Sequence, residues 1–154
     1  MIRFRFICMK YSLNFFLITL SFFLIGYVNA QVYYVSSSQG NDENDGLSIQ
    51  SPFESIDKLN SMVFSPGDSI YFKSGDYWEG MFWLKGSGSS TDPIVVDVYG
   101  GNIKPIINGY GYQSSILIYN NQYIEINGLE IFNFSSVSLP NKSTIFIKDL
   151  LLTL

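Results

Sequence analysis

The sequence predicts an all-β chain wound as a parallel β-helix, a solenoid of short strands, with an N-terminal α-helix as its cap. Three observations lead there. Residues 114–134 hold three aliphatic runs, Ile116/Ile118, Ile124/Ile126 and Leu129/Ile131, separated only by corners bearing Asn and Gly. Each run alternates like a half-buried strand, but the gaps are too short for helices and lack a hairpin's turn pattern. A chain that bends this often while facing Ile inward is winding, one strand to each side of a coil. Strand starts at Ile70, Ile94 and Ile116 then recur at gaps of 24 and 22 residues, a fitting length for one three-sided turn. Only one stretch reads convincingly as a helix.

The first thirty residues are read apart from the fold, as a signal peptide spanning 1–30. Arg3, Arg5 and Lys10 make a positive start, and Leu13 to Ile25 is apolar. Val28-Asn29-Ala30 is a small-residue cleavage site before Gln31. Met9-Lys10 would open a more compact version of the same signal. A membrane anchor is the competing reading, but Asn14, Thr19, Ser21 and Gly26 interrupt the apolar run and polar sequence follows at once. Cys8 is the single cysteine and lies inside this segment, so a chain starting at Gln31 forms no disulfide.

Without Arg3, Arg5 and Lys10 the formal charge falls from −4 to −7, and residues 31–154 contain neither Arg, His nor Cys. An acidic surface without arginine disfavours nucleic acid or an anionic membrane, since both demand clustered cations. It removes the usual two-point grip on a uronate carboxylate. A Ser-His-Asp triad is excluded for want of a histidine. The remaining residues suffice for one core, so a single domain over 31–154 and a monomer are expected.

In chain order, Gln31 to Ser36 is a Val- and Tyr-rich strand, followed by a polar loop from Ser37 to Gln50. Ser51-Pro52-Phe53-Glu54 carries the marks of a helix start, with Ser51 as cap, Pro52 in the first turn and Glu54 closing a capping box. Ile56, Leu59 and Val63 then share one face, so the spacing predicts a helix over 52–62 that ends before Ser65-Pro66-Gly67-Asp68. Strands follow at Ser69–Phe72, Met81–Leu84, Ile94–Tyr99 and Pro105–Asn108, then come the three runs described above and a last strand at Thr144–Ile147. Stacked coils would sit about 4.8 Å apart and share an interior of Ile, Val, Leu and Phe. Asn121, Asn127 and Asn133 are candidates for a side-chain ladder between coils, because Asn tolerates left-handed corners.

These residues resemble a known group, the secreted right-handed parallel β-helix proteins of the pectate-lyase-like superfamily. The resemblance runs through Tyr33-Tyr34-Val35-Ser36, Gly40-Asn41-Asp42, Asn44-Asp45-Gly46-Leu47-Ser48 and Pro52-Phe53-Glu54-Ser55-Ile56. Pro66-Gly67-Asp68-Ser69-Ile70-Tyr71-Phe72 and Gly75-Asp76-Tyr77 resemble a first coil. Pro93-Ile94-Val95-Val96 and Lys104-Pro105-Ile106-Ile107-Asn108-Gly109 resemble a second. The resemblance implies a right-handed coil and a secreted or cell-surface protein whose partner is polysaccharide. Members cleave such polymers by lyase or hydrolase chemistry, while others are only surface or adhesive proteins. Complete members have more coils, with catalytic residues in the middle ones, and Lys142 to Leu154 here lacks a polar cap. The expectation is a truncated N-terminal portion, inactive alone, with no catalytic residue to be named.

Several side chains remain as candidates. Asp42, Asn44 and Asp45 cluster oxygen ligands suited to calcium, though EF-hand spacing fails because the twelfth position from Asn41 is Pro52. The competing reading is a solvated turn whose Asp and Asn cap local backbone. Asp97, Glu125 and Glu130 face solvent, where paired carboxylates serve glycoside hydrolysis, but Glu125 and Glu130 fall on different coil sides. Lys73, Lys85 and Lys104 are the cations able to meet a uronate or remove its C5 proton; solvated lysines are the plainer reading. Tyr77, Trp78, Phe82 and Trp83 either stack on sugar rings or plug the first coils, with Phe82 and Trp83 on opposite faces. Asn133-Phe134-Ser135 and Asn141-Lys142-Ser143 match the glycosylation sequon.

Overall fold

Strands joined by corners of two or three residues cannot lie side by side in one parallel sheet, because a parallel crossover needs a dozen residues or so. That rule dictates the architecture. In a computed structural model, which describes residues 29–134 and 145–148, the elements are β1 (Val32–Val35), α1 (Ile56–Asn60), β2 (Ser69–Lys73), β3 (Tyr77–Glu79), β4 (Phe82–Leu84), β5 (Ile94–Tyr99), β6 (Ile106–Asn108), β7 (Ile116–Tyr119), β8 (Ile124–Ile126), β9 (Glu130–Phe132) and β10 (Ile145–Lys148). Each of β2, β3 and β4 goes to a different sheet. The first sheet runs β1-β2-β5-β8, the second β3-β6-β9 and the third β4-β7-β10. Among the described residues every named strand pair is parallel. The three aliphatic runs at the end fall, one each, in three different sheets as β7, β8 and β9.

The register corrects the phase read from sequence. Ile70 stands opposite Val96, a step of 26 residues, and Ile94 stands opposite Ile124, a step of 30. Ile116 belongs to the third sheet, opposite Phe82. The gap of 24 residues therefore joined two strands of the first sheet two positions out of register, and the gap of 22 joined strands of different sheets. Alternating aliphatic runs look alike whichever sheet they occupy, and the loops at 100–105 and 109–115 lengthen the second turn.

The helix is also shorter than predicted. It has five residues, with Ser55 as its N-cap accepting a hydrogen bond from the Lys58 N–H at 3.0 Å. Pro52 and Phe53 stay extended because Phe53 is claimed by β1: its N–H donates to Tyr34 O (2.9 Å) and its carbonyl accepts from Ser36 N (2.8 Å). Tertiary pairing overrides the capping-box signal. Val63, expected on the buried face, lies beyond the helix and is 73% exposed. Ile56 and Leu59 are buried, and α1 packs on β4. Asn60 reaches further: its carboxamide donates to Met81 O (2.8 Å) and accepts from Trp83 N (2.8 Å), standing in for a neighbouring strand along the β4 edge. No helix of the described residues is long and apolar enough to cross a membrane.

Inward side chains stack by register: Ile70 on Val96, Trp78 on Ile107 and Ile131, Phe82 on Ile116, and Leu84 on Ile118. The three sheets meet at an aromatic cluster. The Phe72 ring lies edge-on to Trp78 at 5.1 Å and to Phe82 at 5.7 Å, one ring from each sheet. The indole N–H of Trp78 donates to Glu54 O at 2.9 Å, so its one polar atom is satisfied in the interior.

The corner asparagines tie successive turns together, but not as a ladder of side chains. Asn121 donates to Gly86 O and accepts from Tyr119 N, and Asn133 donates to Tyr112 O at 2.9 Å. At Asn127 the backbone N–H reaches back, to Val96 O at 2.8 Å. Each carboxamide meets backbone of the preceding turn because the loops there differ in length. Among the described asparagines the left-handed corner residue is Asn120, at φ 55°. The segments 1–28, 135–144 and 149–154 lie outside the described residues, and with them the whole of the second sequon and the residue completing the first.

The central cluster sets the expected stability response. Phe72→Ala should cost about 3–5 kcal/mol in denaturant unfolding, since it empties a site touched from three sheets. Trp83→Ala, on the exposed face of β4, should cost well under half of that. Equal losses would show that the rings do not form a shared core.

Candidate functional site

Outward residues around α1 and β3 frame the most developed concavity. Strand alternation turns Trp78 inward and leaves Tyr77 and Glu79 outside. The β3–β4 corner is Gly80-Met81, where Gly80 adopts φ +117° and donates to Asn108 O at 2.9 Å. A Cβ built on Gly80 would meet nothing within 4 Å, so the space above the corner is open. The Gly109–Ser115 loop stands on the far side. The resulting cleft, about 320 Å³, is lined by Asp57 and Asn60 of α1, Glu79, Gly80 and Met81 of the corner, and Tyr110 and Tyr112 of the loop. A shallower hollow of about 230 Å³ shares Asp57 and Glu79 and adds Glu54, Ser55, Tyr77 and Trp78.

The loop is held by side chains that begin and end strands. Asn108 Oδ1 accepts from Tyr110 N at 3.1 Å, and Asn133 Oδ1 accepts from Gly111 N at 3.3 Å. Ser115 Oγ accepts from Gly109 N at 3.0 Å and donates to Phe132 O at 2.8 Å. Tyr110 is thereby kept at φ 41°, a left-handed conformation uncommon for a tyrosine. Tyr110 and Tyr112 are 56% and 57% exposed. Beside them the Tyr77 hydroxyl donates to Glu79 Oε1 (3.1 Å) and accepts from Asn108 Nδ2 (2.9 Å).

Of the sequence candidates, the structure brings only Tyr77 to this region with an exposed face. Trp78 and Phe82 are core, and Trp83 faces outward under the Lys85 ammonium, 4.4 Å from the ring. Phe82 and Trp83 do lie on opposite faces. Asp97 and Glu125 sit on the paired strands β5 and β8 of the first sheet, two register positions apart, while Glu130 lies on β9 of the second, so the three acids do not share one site. Asp97 Oδ1 accepts from Val98 N at 2.8 Å. Lys73 lies 5.8 Å from the Tyr99 ring centre, and Lys104 is exposed beside Ile103. None of Lys73, Lys85 and Lys104 lines either concavity around α1.

Asp42, Asn44 and Asp45 each hydrogen-bond within the loop or to the segment that leads into α1. Asp42 Oδ1 accepts from Glu54 N (2.9 Å) and Ser55 N (3.0 Å), and its other oxygen accepts from the Ser55 hydroxyl. Asn44 donates to Pro52 O at 2.8 Å, and Asp45 accepts from Leu47 N and Ser51 Oγ. Burial pushes the Asp42 carboxyl upward, but the Ser55 and Glu54 hydrogen bonds and the Lys58 charge outweigh it and hold it below the usual range. Among the described residues no group of three His, Cys, Asp or Glu side chains is placed to hold a metal ion.

Sequence reasoning named none of Asp57, Asn60, Glu79, Tyr110 and Tyr112 as site residues. A signal existed. In Gly109-Tyr110-Gly111-Tyr112 two large rings alternate with glycines in a corner, where no strand or helix can bury them.

No protein-family model matches the chain. A lacto-N-biosidase of Bifidobacterium longum subsp. longum is 34% identical over 89 residues, covering 54% of this chain and 6% of that protein. Two crystal structures of a GH136 lacto-N-biosidase from Eubacterium ramulus superpose well. The native form gives a TM-score of 0.66 at 28% identity over 70% of this chain, and the selenomethionine form 0.65 at 29% over 75%. The chain spans 21% and 23% of those solved chains. In both sequence and fold it is similar to a stretch of a glycoside hydrolase.

Proposed function

We propose that this chain supplies the opening coils of a secreted, glycosidase-like right-handed β-helix protein acting on polysaccharide, with residues 1–30 as its signal peptide and α1 covering the front of the coil. The likeness to the GH136 lacto-N-biosidase, in fold and at 28% identity, carries this reading. It favours hydrolysis over the lyase branch that the pectate-lyase-like resemblance also allowed. Because these residues match about a fifth of the solved relative, the complete catalytic machinery is assigned to further coils, and the 154 residues are inactive alone. The second reading is a non-catalytic surface or carbohydrate-binding β-helix protein, favoured by the exposed tyrosines of the cleft. Paired carboxylates on one face of encoded coils beyond Leu154 would decide for the hydrolase, and bland Asn/Gly coils for the binder.

The Asp42–Asp45 loop is assigned a structural part, pinning the segment before α1. Calcium there would have to displace the bonds from Glu54, Ser55, Leu47 and Ser51.

Two outcomes are expected. Protein recovered from culture medium should begin at Gln31 and release no reducing or unsaturated ends from neutral or uronate oligosaccharides; measurable turnover would contradict the assignment of catalysis to other coils. Because the Asp42 carboxyl is held below its unfolded value of about 3.9, its contribution is present above that pH and is lost as pH falls through the folded value. Asp42→Asn should therefore flatten the acid limb of the stability profile below about pH 4, and calcium should leave the unfolding midpoint unmoved. A calcium-dependent rise that Asp42→Asn abolishes would establish a bound cation instead.

A further inference from the structure

We propose that the cleft between α1, the Gly80 corner and the Gly109–Ser115 loop is a binding subsite for a neutral, hydroxyl-rich sugar. Tyr110 and Tyr112 supply its flat faces, and Asp57 and Glu79 accept hydroxyl hydrogens. The assignment rests on the carbohydrate reading above and adds a place and a ligand class to it.

Two large rings, each more than half exposed, stand on a loop whose backbone is fixed by Asn108, Asn133 and Ser115. Exposed aromatic rings on a mobile loop would lose backbone entropy on binding; here the backbone that carries them is already held. Tyr110 is held at φ 41°, in the left-handed region, with its ring outside the core. The volume, about 320 Å³, falls at the small end of the range for ligand sites. Gly80 leaves its floor open, since a side chain there would project into empty space.

The polar lining selects the ligand. Asn60 is a wall rather than a ligand, because both ends of its carboxamide serve the β4 edge. Among the described residues no group bonds the Asp57 carboxylate, and Glu79 receives only the Tyr77 hydroxyl. Ionised carboxylates accept hydrogen bonds and cannot donate them, so they suit a ligand rich in O–H donors. The lining holds no Lys, and the adjoining hollow adds Glu54, another acid. A uronate, sulfated or sialylated sugar would meet like charge without a counter-ion. A neutral pyranose offers hydroxyls to the acids and a C–H face to the rings.

The test is titration of the full secreted chain, by calorimetry and by NMR shift mapping, with cellotetraose, chitotetraose and trigalacturonate. A neutral probe should bind with shifts centred on Gly80, Tyr110 and Tyr112, and trigalacturonate should bind roughly tenfold more weakly or not at all. Tyr112→Ala and Tyr110→Gly should each weaken the neutral probe roughly tenfold, while thermal unfolding shows both folded. Tyr110→Gly suits the left-handed backbone, so its loss would report the ring. If a neutral probe binds but both variants bind it unchanged, or the shifts map elsewhere, this subsite is overturned while the carbohydrate reading stands. If no probe binds, or trigalacturonate binds best, the subsite as described is wrong, and the hydrolase reading is judged separately by the coils encoded beyond Leu154.

Discussion

The structure depends on the packing of Phe72 against Trp78 and Phe82, because that is where three separate sheets become one core. Strands of three to six residues cannot stand as isolated sheets. Corners such as Ser74–Asp76 and Gly80-Met81 forbid consecutive strands from pairing, so each sheet must draw its partners from the turn before and the turn after. Hydrogen bonds then run between turns and side-chain packing runs within a turn. Neither suffices alone, and the aromatic cluster is the point at which they are joined at the front of the coil.

This division of labour explains where functional groups can sit. Inward positions are committed to packing and strand backbones to pairing, which leaves outward side chains and corners free to vary. The corner after β6 is long enough to carry a loop of its own, and the asparagines and serine that end its flanking strands hold that loop in shape. The helix contributes twice: Ile56 and Leu59 close the interior, and Asn60 occupies the β4 edge while Asp57 faces the cleft. The helix therefore serves both the packing and the candidate site.

Much of this was legible in the residues, and what was not has physical causes. Alternation at Ile124-Glu125-Ile126 marks a half-buried strand, and alternation put Phe82 and Trp83 on opposite faces without saying which one was buried. The phase of the winding was not legible, because a period of two says which face is buried but not which sheet a strand joins. The helix start was misplaced since Ser51-Pro52-Phe53-Glu54 is locally a good capping box, while the pairing of Phe53 with Val35 is set by contacts distant in sequence. β3 was missed because Tyr77-Trp78-Glu79 holds no aliphatic residue, and its inward ring, Trp78, reads equally well as a sugar platform. The cleft was invisible for a different reason: Asp57, Glu79 and Tyr110 come from separate turns, and only the register brings them together.

A stack of parallel, in-register turns is the claim from which the likeness to a glycoside hydrolase draws its weight. NMR distance contacts around β5 test it most directly. Val95 should show parallel-type amide and α-proton contacts to the Ser69 region on one side and the Glu125 region on the other, as the register requires. Short α-proton to α-proton contacts across either pair, the mark of antiparallel strands, would contradict the fold and the functional reading built on it.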